Sequence, residues 1–129
     1  MAVRAGLDLV EVDEIRVSIA VHACRYLDRV FTEREVADCR GPDDVLDVRG
    51  LAARLAAKEA TLKALGAEPG GLALRSVEVV REGGGRVALV LSGAAERLAR
   101  GRGVARLALS LTQTERQAGA LVLAWDGPS

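Results

Sequence analysis

The sequence predicts a single α+β domain that spans residues 1–129, with helices packed on a mostly antiparallel sheet. Three observations support this fold class. Strand-like and helix-like segments follow one another in the order β, α, α, α, β, β, α, β, β, and the later strands come in pairs joined by short turns. A chain of 129 residues has room for one domain with a real hydrophobic core. Apolar residues make up 50% of the chain and aromatic residues only 2%, so that core must consist of Leu, Val and Ala.

Each predicted element has its own sequence signal. In chain order these are a strand at 2–10, helical segments within 12–29, a helix that begins after Thr32, a turn at 41–44, a long helix at about 46–65, strands at 74–80 and 86–92, a helix capped by Ser92, and strands at 104–112 and 118–125. Thr32 and Glu35 have the spacing of a capping box, and Gly66 is a natural C-terminal stop for the long helix. The segments 81–85 (REGGG) and 113–117 (QTERQ) predict the turns of two hairpins.

Charge and cysteine usage exclude several function classes. Eighteen basic residues balance eighteen acidic ones, and base-stacking aromatic residues are nearly absent, so nucleic acid is not an expected partner. Cys24, Cys39 and the single His22 are too few for a Cys/His metal site, and the cysteines predict free thiols in a cytoplasmic protein. No apolar run approaches the ~20 residues of a membrane span, and acidic residues interrupt the N-terminus where a signal peptide would be apolar.

Charged residues lie on and beside the apolar stripe of the long helix, LAARLAAKEATLKALG (51–66). At 100° per residue four leucines form one stripe: Leu51, Leu55, Leu62 and Leu65. Lys58 falls inside this stripe. Glu59 and Lys63 lie together beside one edge of it, and Arg54 lies at the other edge. Alanines cover the rest of the helix, which allows another backbone or a ligand to approach closely.

Two interpretations of these charges are open from the helix alone. In one, Lys58 extends its apolar stem across the stripe to water, and Glu59 and Lys63 form an ordinary i,i+4 pair. In the other, a charge inside an apolar stripe needs a partner such as an anion or a metal ion. The segment GLDLVEVDEI (6–15) adds Asp8 at the point where the chain leaves the first strand, which by itself indicates no more than a turn.

Four segments taken together are more specific. GLDLVEV, then FTEREV about two dozen residues later, then LAARLAAKEATLKALG, then SLT near the C-terminus, resemble the holo-acyl carrier protein synthase family in order, spacing and chain length. These are small, single-domain 4′-phosphopantetheinyl transferases. The resemblance implies that the protein transfers the phosphopantetheine arm of coenzyme A to a serine of an apo acyl carrier protein and releases adenosine 3′,5′-bisphosphate. It also implies a homotrimer with active sites between subunits.

The resemblance further implies which residues bind the substrate. Asp8 and Glu59 are expected to hold a Mg2+ ion that bridges the coenzyme A pyrophosphate, because Mg2+ prefers carboxylates, phosphates and water. Lys58 is then expected to face phosphate oxygens in a cleft that excludes water, and Arg54 to bind another phosphate. Lys63 is placed to meet leaving-group charge or the incoming serine. The base that takes the serine proton stays open between a metal-bound water and a carboxylate acting through one.

The chain departs from the family pattern at two positions. Gln113 follows Ser110 and Thr112 where the family usually has a histidine. Because that loop normally helps to hold coenzyme A, these three residues are expected to contact it. Glu14 stands where an arginine is common, and Arg16 is the nearest substitute.

Three arginines are the expected docking site for the carrier protein. Arg16, Arg25 and Arg29 follow the first strand, and acyl carrier proteins are typically acidic. Arg25 and Arg29 are i,i+4 neighbours and so share one helix face. A solvated charged face without a partner is the alternative. Whether the carrier serves fatty-acid or polyketide synthesis stays open.

Two rival functions remain. A coenzyme A or nucleotide-binding module that has lost its chemistry is favoured by Glu14 and Gln113, and the retained acidic and lysine residues of the long helix oppose it. A structural oligomerisation domain would leave Lys58 unexplained. The methionine start and the short end at 127–129 predict a chain that stands alone.

Overall fold

Helices pack against antiparallel strands in a computed structural model that describes residues 2–127. Its elements are β1 Val3–Glu11, α1 Val12–His22, α2 Cys24–Val30, α3 Glu33–Asp38, α4 Val48–Ala64, β2 Val77–Arg81, β3 Val87–Leu91, α5 Gly93–Gly101, β4 Val104–Gln113 and β5 Gln117–Asp126. A 3-10 turn, Leu74–Ser76, precedes β2. The predicted α+β class in one domain is confirmed. The predicted chain end at 127–129 lies mostly outside the described residues.

The strands form two sheets where the sequence predicted one. β1, β5 and β4 lie side by side in that order, and β2 pairs with β3. These pairings are all antiparallel, and both predicted hairpins are confirmed. In the three-stranded sheet Asp8 lies opposite Ala120, and Thr112 lies opposite Gly119.

Most helix ends lie where the capping and stop residues in the sequence predict them. The capping box is confirmed, because Thr32 and Glu35 each accept a hydrogen bond from the other's backbone N–H. Gly66 ends α4 with a φ of 72°, a conformation that glycine adopts without strain. The prediction for Ser92 is wrong in part: it precedes α5, but its side chain makes no capping bond. Ala23, with a φ of 47°, divides residues 12–30 into α1 and α2.

Small residues bring α4 onto the inner face of the three-stranded sheet. A Cβ on Gly6 of β1 would lie 1.8 Å from the Ala60 carbonyl oxygen, so only glycine fits there. The facing side chains of β5 are also small and buried: Ala118, Ala120, Val122 and Ala124. The alanine side of α4 is therefore as buried as its leucine stripe. From Gly50 to Ala64 only one ridge of α4 reaches solvent, and it consists of Leu55, Glu59 and Lys63.

The opposite face of the same sheet is open and apolar. The relative exposures of its large side chains are 58% for Val3, 69% for Leu7, 63% for Leu9, 40% for Leu121 and 37% for Leu123. Within residues 2–127, no helix combines the length and the apolar character that crossing a membrane requires.

Candidate functional site

The open ridge of α4 meets the middle of β1. The Lys63 ammonium donates hydrogen bonds to Asp8 Oδ1 at 2.9 Å and to the Leu7 carbonyl at 3.0 Å. The side chain of Asp8 is 17% exposed, and that of Lys63 is 56% exposed. The close packing at Gly6 positions this contact, because it fixes how near α4 approaches β1.

Glu59 is electrostatically coupled to the same pair. Its carboxyl pKa is raised above the ordinary value by burial first and by the Asp8 carboxylate second, while Lys63 acts in the opposite direction. The simple Glu59–Lys63 pair expected from the sequence does not form, because within residues 2–127 the ion-pair partner of Lys63 is Asp8. The carboxyl group of Glu59 thus lies close to both the Asp8 carboxylate and the Lys63 ammonium.

These carboxylates fit a hard divalent cation. Mg2+ is held in proteins by one or two carboxylates, with water and substrate phosphates as its other ligands. A cation beside Asp8 and Glu59 would offset the burial and the Asp8 charge that raise the Glu59 pKa. No cluster of three or more His, Cys, Asp or Glu suited to a metal occurs in the described part of the chain, so the remaining ligands would have to be water or substrate.

A groove of about 410 Å³ extends from this pair along the open face of the sheet. Its walls include the hydroxyl side chains of Ser110 and Thr112 on β4, with Asp8 and Lys63 at the other side. Apolar and small residues complete the lining: Leu7, Leu9, Leu111, Gly119, Ala120 and Leu121. Gln113 ends β4 one residue beyond Thr112 and is exposed outside this lining. Ser110 and Thr112 thus line the same groove as Asp8 and Lys63, from across strand β5.

Lys58 is not part of this groove, and the expected phosphate contact is corrected. Its side chain is fully buried, and its ammonium lies 2.6 Å from Glu35 Oε1. It also donates hydrogen bonds to the carbonyls of Val77 at 2.6 Å and Leu74 at 3.1 Å, and it lies over the Phe31 ring. All three ammonium protons therefore have protein partners. Burial lowers the Lys58 pKa, and the Glu35 carboxylate opposes that shift.

Arg54 is also buried, which corrects its expected role. Only 5% of the residue is exposed. One guanidinium nitrogen donates to the Gly50 carbonyl at 3.1 Å, and Nε is buried without a partner in the described residues. Arg54 and Lys58 share the buried side of α4, opposite Glu59 and Lys63. Neither side chain is open to a coenzyme A phosphate.

Of the three arginines expected to bind a carrier protein, two lie together on the surface. Arg25 and Arg29 line a surface pocket of about 220 Å³ together with His22 and Tyr26. The Tyr26 pKa is raised by burial first, and then by the carboxylates of Glu14 and Glu59.

Arg16 lies outside that pocket. It forms an i,i+3 ion pair with Asp13 at 3.6 Å.

Glu35 is the important residue that sequence reasoning missed. The spacing Thr32-x-x-Glu35 predicted its capping role, and nothing local indicated its second partner, Lys58. The only available signal was indirect: a lysine inside an apolar stripe needs a buried partner.

Comparisons with known proteins show which proteins the chain is similar to. A family model described as the 4′-phosphopantetheinyl transferase superfamily matches residues 4–118. The chain is 43% identical over 130 residues to a holo-[acyl-carrier-protein] synthase from Chloroflexus aggregans (strain MD-66 / DSM 9485), with 93% of each chain covered. It is 40% identical over 127 residues to one from Koribacter versatilis (strain Ellin345), covering 98% of this chain and 100% of the relative. A solved ACPS–CoA complex from Chronobacterium ammoniagenes is similar with a TM-score of 0.83 and 29% identity, over 99% of this chain and 100% of that one.

Proposed function

Because the chain belongs to the 4′-phosphopantetheinyl transferase superfamily, we propose that it is a holo-acyl carrier protein synthase. It transfers the 4′-phosphopantetheine group from coenzyme A to a serine of an apo acyl carrier protein. The serine oxygen forms a bond to the phosphorus that carries the pantetheine arm, and the pyrophosphate P–O bond breaks to release adenosine 3′,5′-bisphosphate. The observation that carries this proposal is the contact of Asp8 with Lys63 at the groove, with Glu59 close enough to both for their charges to act on its carboxyl group.

Asp8 and Glu59 are the residues that would hold Mg2+. When bound, the ion neutralises pyrophosphate charge and orients the phosphorus for in-line attack. Burial, and after it the Asp8 carboxylate, raises the Glu59 pKa, and a bound cation would offset both effects, which supports this assignment. The serine must also lose its proton, and Asp8 and Glu59 are the bases that the site offers, directly or through water.

Phosphate recognition within one subunit rests on few groups. Lys63 is placed to meet negative charge on the leaving oxygen, and Ser110 and Thr112 offer hydroxyl hydrogen bonds to coenzyme A across the groove. Gln113 ends β4 one residue beyond Thr112 and is proposed to contact coenzyme A from outside the groove lining. Since Arg54 and Lys58 are buried, further charge for the phosphates must come from outside this subunit's groove.

A homotrimer accounts for that need and for the open face of the sheet. Leu7, Leu9 and Leu121 expose apolar surface in one contiguous strip, and exposed apolar patches of this kind mark interaction surfaces. The groove lies on the same face, so a neighbouring subunit packed there would complete the site.

The carrier protein is proposed to bind beside this site. Arg25 and Arg29 present two guanidinium groups from one pocket, which suits the carboxylates of an acidic partner, and Arg16 lies one helix earlier. The carrier can serve fatty-acid or polyketide synthesis. A cytoplasmic location is part of the proposal, and the free thiols of Cys24 and Cys39 fit a reducing compartment.

One experiment tests the function. The protein is incubated with an apo acyl carrier protein, coenzyme A and Mg2+, and the carrier is weighed by mass spectrometry. A mass gain of one phosphopantetheine is expected. Coenzyme A binding without any gain would instead support the non-catalytic module that Glu14 and Gln113 favour. Neither binding nor gain would support a structural oligomerisation domain.

A further inference from the structure

Lys63 occupies one side of the carboxylate proposed to bind the cation. Its ammonium lies 2.9 Å from Asp8 Oδ1 and 3.0 Å from the Leu7 carbonyl oxygen. Asp8 is largely buried, whereas more than half of the Lys63 side chain is exposed. The carboxylate is therefore held in place, and the ammonium, on a flexible four-carbon stem, is free to turn outward.

A divalent cation and this ammonium compete for the same carboxylate. The ammonium already occupies Asp8 Oδ1, and the two positive charges repel each other. This repulsion acts even in bulk water, and it is twice as strong for a divalent ion as for a monovalent one. The site contains two carboxylates and one ammonium, so the ammonium lowers the net negative charge that attracts a cation.

We propose that Lys63 is an internal counter-ion that the metal must displace from Asp8, and that the displaced ammonium then binds the phosphate oxygens of coenzyme A. This inference rests on the proposed function. Its consequence is coupling: metal binding frees the cation that coenzyme A needs, and coenzyme A stabilises Lys63 away from the metal. By linkage, each ligand must raise the affinity for the other by the same factor.

The test measures metal binding without catalysis. Mg2+ is titrated into the protein by calorimetry, first alone and then with saturating coenzyme A. Lys63→Met should bind Mg2+ alone roughly three- to tenfold more tightly than the parent, because a nearby positive charge is gone. Coenzyme A should strengthen Mg2+ binding in the parent and much less in Lys63→Met. The matched control is Arg49→Met, which removes an exposed cation from the same helix about 21 Å away along its axis and should leave Mg2+ affinity within twofold.

Asp8→Asn separates failure of this inference from failure of the metal assignment. If Asp8→Asn removes Mg2+ binding while Lys63→Met binds no more tightly than the parent, the counter-ion role is overturned and the metal site stands. If Asp8→Asn binds Mg2+ like the parent, or if neither the parent nor Lys63→Met binds it with or without coenzyme A, the proposed metal site itself is wrong and this inference falls with it.

Discussion

The ammonium of Lys58 lies 2.6 Å from Glu35 Oε1, and both side chains are completely buried. Glu35 also accepts hydrogen bonds from the backbone N–H groups of Thr32 and Val79, each at 2.8 Å. One carboxylate thus joins the start of α3, the middle of α4 and strand β2. Because Glu59 follows Lys58 directly, the same pair fixes the rotation of α4 that turns Glu59 toward Asp8.

Replacement of Glu35 should therefore be costly. Glu35→Gln leaves a buried ammonium without a counter-charge, and we expect it to lower the free energy of unfolding by roughly 3–5 kcal/mol, as for other broken buried ion pairs. Urea unfolding followed by circular dichroism measures this.

Two further variants isolate the cause. Glu96→Gln, which breaks the exposed pair of Glu96 with Arg100, should cost no more than about 1 kcal/mol. Lys58→Met added to Glu35→Gln should recover much of the loss, because the unpaired charge is removed. A double variant as unstable as Glu35→Gln alone would show that the hydrogen bonds of Glu35, not its charge, matter most.

The raised pKa of Glu59 predicts a pH dependence of stability. A carboxyl group with a higher pKa in the folded chain holds its proton more tightly there. Its contribution to stability is complete below the unfolded value, near 4.5, and is lost as pH rises through the higher folded pKa. Relative to Glu59→Gln, the parent should lose free energy of unfolding as pH rises above 4.5 and then level off.

Urea titrations of both proteins between pH 4 and 8 (about 0.5 apart) would show this relative loss. Added Mg2+ should then stabilise the parent at neutral pH, because it binds the folded state, and should have little effect on Glu59→Gln. A parent that gains stability over Glu59→Gln as pH rises, in the absence of metal, would contradict the raised pKa of Glu59.

The helical periodicity of 3.6 residues was sufficient to place Glu59 and Lys63 on one side of α4. Asp8 was singled out only by the family resemblance, and its expected position where the chain leaves the first strand is wrong, because Asp8 lies in the middle of β1. The same wheel placed Lys58 in the buried stripe correctly. It could not show that the partner would be Glu35 rather than a phosphate, because that contact joins segments 23 residues apart through tertiary packing.

Tertiary packing also explains the other differences between the predicted and the observed structure. Ala23 breaks the helical segment with a positive φ, although alanine favours helix, so the break reflects packing and not local preference. Arg54 looked like an edge residue because a wheel treats one helix in isolation. The alanine side of α4 is buried by the sheet, so the edge of the leucine stripe lies inside the protein.

Reversal of charge in the Arg25–Arg29 pocket should weaken use of the carrier. Arg25→Glu with Arg29→Glu is expected to raise the Michaelis constant for an acidic carrier by about tenfold at low salt and to leave that for coenzyme A nearly unchanged. Salt should erase much of the difference, since exposed charges are screened. The control is Arg49→Glu with Arg97→Glu, which makes the same change of net charge at exposed positions outside this pocket and should leave carrier kinetics nearly unchanged. Equal carrier kinetics in the two double variants would place the docking surface elsewhere.

Disruption of the open sheet face should separate the subunits. Leu7 and Leu121 lie opposite each other, and lysines at both positions would put charge in the proposed interface. Sedimentation should show an assembly of three 13.6 kDa chains for the parent and single chains for the double variant, with transfer strongly reduced. Val45→Lys changes an equally exposed apolar residue away from the sheet and should preserve both. A parent that sediments as a single chain would refute the trimer.

Substitution of Gln113 should show whether the end of β4 contacts coenzyme A. A neutral amide offers a phosphate only a hydrogen bond, whereas an imidazole that is partly protonated adds charge and strengthens that bond. Gln113→His should therefore lower the Michaelis constant for coenzyme A, and more at pH 6 than at pH 8. Gln113→Asn retains a neutral amide and should show no such difference between the two pH values relative to the parent. If Gln113→His leaves the constant unchanged or raises it at pH 6, the exposed end of β4 does not contact the phosphates, and recognition within the groove rests on Lys63, Ser110 and Thr112.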